Sequence, residues 1–71
     1  MQTEAIEIFV NGEQKQVAAG QSVATLLEAL NIGLDRVAVE LDKSIVRKRN
    51  WRETMVPRGS RIEIVEFVGG G

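Results

Sequence analysis

A single segment with helical periodicity lies between segments in which apolar and other residues alternate as in β-strands. This arrangement restricts the possible folds more than any other feature of the sequence. Four apolar residues fall at positions i, i+3, i+4 and i+7 of a single apolar face, namely Val23, Leu26, Leu27 and Leu30. Ser22 precedes them as a helix N-cap, and Asn31 or Gly33 is suited to end the helix in left-handed geometry. The pattern predicts a short helix over about Val23–Leu30 that needs a sheet to cover its apolar face.

Two strands are predicted before this helix. Ile6, Ile8 and Val10 alternate with other side chains in the manner of a half-buried strand. The pair Asn11-Gly12 tolerates the positive φ angles of a two-residue hairpin turn. The return strand, about 13–17, is mostly polar, which is typical of an edge strand.

Three further strands are predicted after the helix: about 37–41, a short one at Ile45-Val46, and 61–67. Asp42-Lys43-Ser44 separates the first two, and Arg58-Gly59-Ser60 precedes the last. The stretch 47–58 shows no periodicity. Within it, Trp51 is expected to close the open end of the small core.

This order of elements predicts an α+β domain in which a mixed sheet of four to five strands packs on one helix. Ubiquitin-like β-grasp domains have the same order, with the first and last strands as parallel neighbours at the centre of the sheet. We therefore expect a β-grasp domain over residues 1–67, followed by a flexible C-terminal glycine tail over 68–71.

Composition excludes most small-enzyme chemistry. The 71 residues include no cysteine and no histidine, so the chain has no thiol nucleophile, no imidazole base and no usual zinc ligand. Nine basic residues against ten acidic ones give a net charge of −1, which provides no electrostatic case for binding nucleic acid or an anionic membrane. No signal peptide or membrane span is recognisable, so we expect a cytoplasmic protein. From the composition, we expect no catalytic and no metal-binding side chains.

Three glycines, Gly69, Gly70 and Gly71, follow the last predicted strand directly. Such a thin, flexible strip suits entry into a narrow channel, and the reactive group would be the carboxylate of Gly71. A free carboxylate must be activated before acyl transfer, most simply as a mixed anhydride with a nucleotide phosphate. The chain has no phosphate-binding loop, so a separate adenylating enzyme is implied. The alternative is a frayed end or a cloning remnant.

Strand parity predicts a docking patch beside the tail. If Ile62 and Ile64 face the helix, then Val65 and Phe67 lie on the open face of the sheet together with Phe9. An exposed apolar patch of this kind marks a protein contact. In the alternative interpretation a bulge or twist folds one phenylalanine into the core, or the patch is scattered apolar surface.

A basic run, Arg47-Lys48-Arg49 with Arg52 nearby, is the only local excess of charge. Such a run is commonly a solvated loop. The alternatives are contact with an acidic enzyme surface, or with RNA through stacking on Trp51.

Taken together, the sequence resembles the ThiS family, the sulfur carriers of thiamine biosynthesis within the β-grasp fold. The similar segments cover nearly the whole chain: Val10-Asn11-Gly12, the helix start at 22–27, 36–40, Ile45-Val46, Trp51, 61–65 and Val68-Gly69-Gly70-Gly71. Asp42-Lys43-Ser44 and Ser60 depart from the family pattern, both at turn positions.

This resemblance implies that Gly71 is adenylated by a ubiquitin-activating-like enzyme using ATP and magnesium, and is then converted to a thiocarboxylate. The sulfur comes from a donor such as a cysteine desulfurase and passes to thiazole synthase, which builds the thiazole ring of thiamine. The resemblance also implies that the carrier itself binds no cofactor and is not an enzyme. By the same resemblance Gly69 and Gly70 form the flexible stem. The docking contacts, Phe9, Val65, Phe67 and Val68, are our own prediction and not part of the resemblance.

Three other functions compete with this one. The small subunit of molybdopterin synthase uses the same thiocarboxylate chemistry, but its tail usually ends in two glycines after a proline-containing segment. A ubiquitin-like modifier would form isopeptides with target lysines. A plain β-grasp interaction domain would not need Gly69–Gly71.

Overall fold

The computed structural model describes residues 4–67, which form a five-stranded sheet with one α-helix across one face. In chain order the elements are β1 (Ala5–Val10), β2 (Glu13–Ala18), α1 (Val23–Ala29), a 3-10 turn (Leu34–Arg36), β3 (Val37–Leu41), β4 (Ser44–Val46), a 3-10 turn (Lys48–Asn50) and β5 (Arg61–Glu66). The predicted α+β class and β-grasp architecture are confirmed. The predicted helix and strands are all present, and no predicted end differs from the observed one by more than one residue.

The sheet has the order β2-β1-β5-β3-β4, so the last strand lies at its centre. β1 and β5 are parallel, with Phe9 opposite Arg61 and Val10 opposite Ile62. The other neighbouring strands are antiparallel. The predicted central, parallel position of the last strand is confirmed.

Both ends of α1 are capped, so that backbone groups left free by the helix find hydrogen-bond partners there. At the start, Ser22 and Thr25 form a reciprocal capping box, in which the Thr25 N–H donates to Ser22 Oγ at 3.2 Å and the Ser22 N–H donates to Thr25 Oγ1 at 2.9 Å. At the end, the Ile32 N–H donates to the Leu27 carbonyl at 2.9 Å. Asn31 is left-handed, with φ 65°, and Gly33 is not, so Asn31 is the residue that ends the helix.

The core lies between α1 and the inward face of the sheet. It consists of buried residues from both layers: Ile6, Ile8, Val10, Val23, Ala24, Leu26, Leu27, Val37, Val39, Trp51, Val56 and Ile62. Trp51 is only 3% exposed, and its indole N–H donates to the Val46 carbonyl at 2.8 Å. The predicted role of Trp51 as a core plug is confirmed, and its buried ring is not available to stack on an RNA base.

Each hairpin of the sheet turns through two residues with positive φ. In the β1–β2 turn these are Asn11 at 50° and Gly12 at 84°; in the β3–β4 turn they are Asp42 at 50° and Lys43 at 72°. Both pairs have the signs of a type I′ turn, which matches the twist of the flanking strands. The second turn achieves this geometry without a glycine.

The two 3-10 turns, Leu34–Arg36 and Lys48–Asn50, were not predicted. Each is three residues long, too short to show a helical period in the sequence. Within residues 4–67, no helix has the length and hydropathy needed to span a membrane.

Candidate functional site

β5 carries the chain from the centre of the sheet to Phe67, the last residue that the structure describes. Glu66 pairs with Val37 of β3, and the Phe67 N–H donates to the Arg36 carbonyl at 2.7 Å. The chain is therefore held to β3 as far as Glu66, and at Phe67 to Arg36, the residue just before β3. The predictions made for Val68 and for Gly69–Gly71 lie outside the described residues.

The β3–β4 turn holds the beginning of β5. The Asp42 N–H donates to the Arg61 carbonyl at 2.8 Å, and Asp42 Oδ1 accepts from the Arg61 N–H at 2.8 Å. Asp42 thus continues the pairing of β3 with β5 one step beyond the β3 strand, using its side chain in place of a backbone carbonyl.

The β1–β2 turn holds β5 from the other side. The Asn11 N–H donates to the Ile62 carbonyl at 2.8 Å. Its side chain then reaches the next pairing position: Asn11 Oδ1 accepts from the Ile64 N–H at 2.7 Å, and Asn11 Nδ2 donates to the Ile64 carbonyl at 3.1 Å. From the sequence, Asn11 was assigned only a turn role; its contact with β5 requires the parallel register of β1 and β5.

Val65 and Phe67 are exposed on the open face of the sheet, as strand parity predicts. They are 58% and 57% exposed, and Ala38 lies directly opposite Val65 on β3. Ile45, 74% exposed, lies opposite Glu40 on the other side of β3, so Ala38 is its diagonal neighbour on the same face. We call these four residues, Ala38, Ile45, Val65 and Phe67, the open-face patch.

Phe9 does not join this patch. It lies opposite Arg61, four residues before Val65, a separation of about 13 Å along β5. The Arg61 guanidinium lies 4.8 Å from the centre of the Phe9 ring, and Phe9 is half-buried. The expectation of one continuous patch of Phe9, Val65 and Phe67 is therefore wrong, because position along the strand separates residues that share a face.

Two acidic residues lie opposite each other beside the open-face patch. Glu40 and Glu63 occupy directly opposite positions on β3 and β5, and both side chains project to the open face. Like charges in such a pair repel each other and lower the stability of the sheet. Glu66, the last residue of β5, is exposed although it has the parity of the inward-facing Ile62 and Ile64.

The basic run is exposed. Arg47, Lys48, Arg49 and Arg52 are all solvent-accessible, and Lys48 lies 3.3 Å from Asp35 in an ion pair between two largely exposed side chains. An exposed pair of this kind adds little stability. The run has the character of the solvated loop predicted for it.

Residues 4–67 offer surfaces for contact and no enclosed site. No pocket is found on this part of the chain, and its acidic residues form no group of three that could hold a metal ion. What the described structure presents is an exposed apolar patch and a central strand that is hydrogen-bonded on both sides.

The sheet order, the single helix and the central parallel last strand define a ubiquitin-like β-grasp domain. Comparison with known proteins then identifies the family. The model of the ThiS family matches residues 5–71, and the chain belongs to that family. The resemblance inferred from the sequence is confirmed.

Known relatives agree with this assignment. The chain is 32% identical over 66 residues to the sulfur carrier protein ThiS of Escherichia coli, covering 93% of this chain and 100% of that protein. The crystal structure of the thiamine biosynthesis protein ThiS from Geobacter metallireducens superimposes with a TM-score of 0.81, at 32% identity, covering 93% of this chain and 100% of that one.

Longer proteins match as well. The thiazole synthase of Paramagnetospirillum magneticum is 36% identical over 66 residues, covering 93% of this chain and 20% of that protein. The thiazole synthase of Magnetococcus marinus is similar to the same extent, at 33% identity and 20% coverage. The chain thus spans about a fifth of the length of these two thiazole synthases.

Proposed function

We propose that this chain is a sulfur carrier of thiamine biosynthesis whose C-terminal Gly71 is converted to a thiocarboxylate. The observation that carries the proposal is the family match over residues 5–71, which includes the three glycines as well as the folded domain. The E. coli relative of nearly the same length, which is named as a sulfur carrier, supports it.

The chemistry requires two steps at the carboxyl group of Gly71. The Gly71 carboxylate attacks the α-phosphorus of ATP and releases pyrophosphate, which leaves an acyl adenylate. A sulfur nucleophile at the oxidation level of sulfide then adds to the acyl carbon and expels AMP, so that one oxygen has been replaced by sulfur. A persulfide, the form in which a cysteine desulfurase carries sulfur, would instead form an acyl disulfide, and a thiol reductant would then cleave its S–S bond to release the thiocarboxylate. ATP and magnesium belong to the ubiquitin-activating-like enzyme, since the carrier has no phosphate-binding loop.

The carrier acts in this scheme as a protein co-substrate and not as an enzyme. Its contribution is to present the tail and to bind each partner in turn, in the cytoplasm, where ATP and a sulfur donor such as a cysteine desulfurase are at hand. The open-face patch lies at the end of β5 that leads into the tail, so a partner docked there holds Gly71 near its own active site. Val68, which follows Phe67 directly, extends the predicted contact.

Thiazole synthase is the proposed acceptor of the sulfur. Two proteins of that name each match this chain over about a fifth of their length. A segment similar to the carrier within the same polypeptide as the synthase supports a working partnership between the two, because fusion keeps them at high effective concentration.

The test is intact-protein mass spectrometry after incubation with ATP, magnesium, a sulfide source and the adenylating enzyme of the same genome. We expect a mass gain equal to the exchange of one oxygen for sulfur, located in the C-terminal peptide and absent when Gly71 is deleted. Substitution Gly70→Ala should slow the reaction by adding a side chain to the stem. Gly33→Ala is the matched control, since a Cβ at Gly33 meets no atom within 4 Å.

An unchanged mass, with the enzyme shown to be active on another carrier, would refute the proposal and favour a plain interaction domain. Isopeptide-linked adducts on lysines of other proteins would instead indicate a modifier. These adducts must be sought in cells, because the purified incubation contains neither the target proteins nor the enzymes that would form the isopeptide.

A further inference from the structure

We infer that the side chain of Asn11 is a positioning residue that sets the direction in which the end of β5 leaves the sheet. The inference rests on the proposed function for its catalytic consequence, but its structural part stands on contacts among the described residues alone. Nothing in the sequence or in the family match assigns Asn11 a role beyond its turn.

The backbone of β1 stops short of the place where β5 needs support. The pairing of β1 with β5 comprises Phe9 with Arg61 and Val10 with Ile62, after which β1 enters its turn. Ile64 therefore has no β1 strand residue beside it. The side-chain amide of Asn11 supplies both hydrogen bonds that a neighbouring peptide unit would have supplied, as acceptor at 2.7 Å and donor at 3.1 Å.

The turn geometry makes this contact possible. Asn11 has φ 50° and Gly12 has φ 84°, so the chain reverses immediately while the Asn11 side chain projects along the strand direction toward Ile64. Asparagine tolerates left-handed geometry and carries both a donor and an acceptor. We call the two hydrogen bonds of the Asn11 side chain to Ile64 the clamp. Glycine would fit the turn but form neither bond, and aspartate would fit it but present an acceptor to the Ile64 carbonyl.

The clamp acts at the last point where β5 is held on both sides. Beyond Ile64, the described chain is paired on the β3 side, through Glu66 with Val37 and through the Phe67 N–H. Two-sided fastening at Ile64 fixes the angle at which residues 65–67 project. A reacting group displaced by about 1 Å can lose as much as a hundredfold in rate, so a small change of this angle affects the step at Gly71.

Two substitutions separate the clamp from the turn. Asn11→Gly keeps the left-handed turn and removes both hydrogen bonds to Ile64, and Asn11→Asp keeps the turn and removes the donor. The matched control is Asn31→Gly, because Asn31 is also left-handed, with φ 65°, but ends the helix and its side chain forms no hydrogen bond recorded within residues 4–67.

The first readout is hydrogen exchange of the Ile64 amide followed by NMR, which requires no partner enzyme. We expect exchange at Ile64 to accelerate about tenfold or more in Asn11→Gly, since about 1.4 kcal/mol corresponds to tenfold. Asn11→Asp should accelerate it less, because the carboxylate still accepts from the Ile64 N–H but repels the Ile64 carbonyl, and Asn31→Gly should leave it unchanged. The second readout is the rate of thiocarboxylate formation, measured at a temperature where every variant is folded. We expect kcat to fall about tenfold in Asn11→Gly and KM to change less, because Ala38 and Ile45 of the open-face patch lie on β3 and β4 and keep their positions, whereas the end of β5 moves.

Unchanged exchange at Ile64 in both Asn11 variants would overturn the inference, as would faster exchange with an unaltered kcat. A fall in kcat of the same size in Asn31→Gly would assign the effect to general stability and would overturn it too. Should Asn11→Gly fail to fold, Asn11→Asp carries both readouts. If the parent chain itself gains no sulfur, the proposed function fails, and exchange at Ile64 alone decides whether Asn11 holds β5.

Discussion

Substitution of Lys43 by glycine is expected to stabilise the domain. Lys43 is the second residue of the β3–β4 turn and has φ 72°, a left-handed conformation that a lysine side chain disfavours. The side chain is exposed and makes no ion pair within residues 4–67. Replacing it therefore removes backbone strain without removing a recorded contact.

The magnitude follows from two opposing terms. Left-handed geometry costs a residue with a Cβ about 1–2 kcal/mol. Glycine lowers the free energy of unfolding by about 0.5–1 kcal/mol, because it gains more conformational freedom on unfolding than lysine does. The middle values of the two terms, about 1.5 and about 0.75 kcal/mol, differ by about 0.75 kcal/mol. A gain of this size corresponds to a rise in Tm of about 3–6 °C for a domain of this size.

The matched variant is Asp42→Gly in the same turn. Asp42 has φ 50°, but Asp42 Oδ1 accepts a hydrogen bond from the Arg61 N–H at 2.8 Å. Loss of this bond should lower the free energy of unfolding by about 0.5–1.5 kcal/mol, and the relief of strain is small because aspartate tolerates left-handed geometry. The two glycine substitutions are thus expected to have opposite signs.

Urea unfolding followed by circular dichroism measures both effects as a shift in midpoint at constant slope. A neutral or destabilising Lys43→Gly, with the slope unchanged, would refute the assignment of strain to this residue. If both variants raise the midpoint equally, the Asp42 side chain does not hold β5 as the structure indicates.

Three further outcomes are expected. Trp51→Phe should lower the free energy of unfolding by about 1–3 kcal/mol, because the Val46 carbonyl loses its indole donor; a urea midpoint equal to that of the parent would contradict this role. Glu63→Gln should raise stability by about 0.2–1 kcal/mol by relieving repulsion with Glu40, and a gain that persists undiminished in high salt would argue against an electrostatic cause. Phe67→Ser should change stability by less than about 0.5 kcal/mol yet raise the KM of the adenylating enzyme several-fold, whereas an unaltered KM would remove Phe67 from the docking surface.

The arrangement of helix and strands could be predicted from the sequence because each element has a local signal. The 3.6-residue period defines α1, and alternation defines β1 and β3. Their order in a chain this short leaves few ways to cover the apolar face of the helix. Turn residues such as Asn11-Gly12 then set the ends of the strands to within one residue.

Contacts that depend on register could not be predicted in the same way. Asn11 and Ile64 are 53 positions apart in the chain, and Asp42 and Arg61 are 19 apart. Only the pairing of strands brings these atoms together, and hydrophobic pattern assigns a face without fixing the register between distant strands.

The open-face patch shows the same limit. Parity correctly placed Val65 and Phe67 on the exposed face, but their distance from Phe9 is a matter of register along β5. Ile45 was missed because its strand is three residues long, too short for alternation to assign a face. Its exposure follows from its position opposite Glu40.

The clamp at Asn11 also controls how fast this residue deamidates as the protein ages. Asparagine followed by glycine is chemically fragile: the Gly12 nitrogen can attack the side-chain carbonyl of Asn11, expel ammonia and form a ring that hydrolyses to aspartate or isoaspartate. Ring closure requires the Asn11 side-chain amide to move away from Ile64. The hydrogen bonds that direct β5 therefore also protect this amide from deamidation. Deamidation at this site therefore accumulates at a rate set by how often the central strand detaches, and an aged molecule carries a carboxylate where β5 needs a donor.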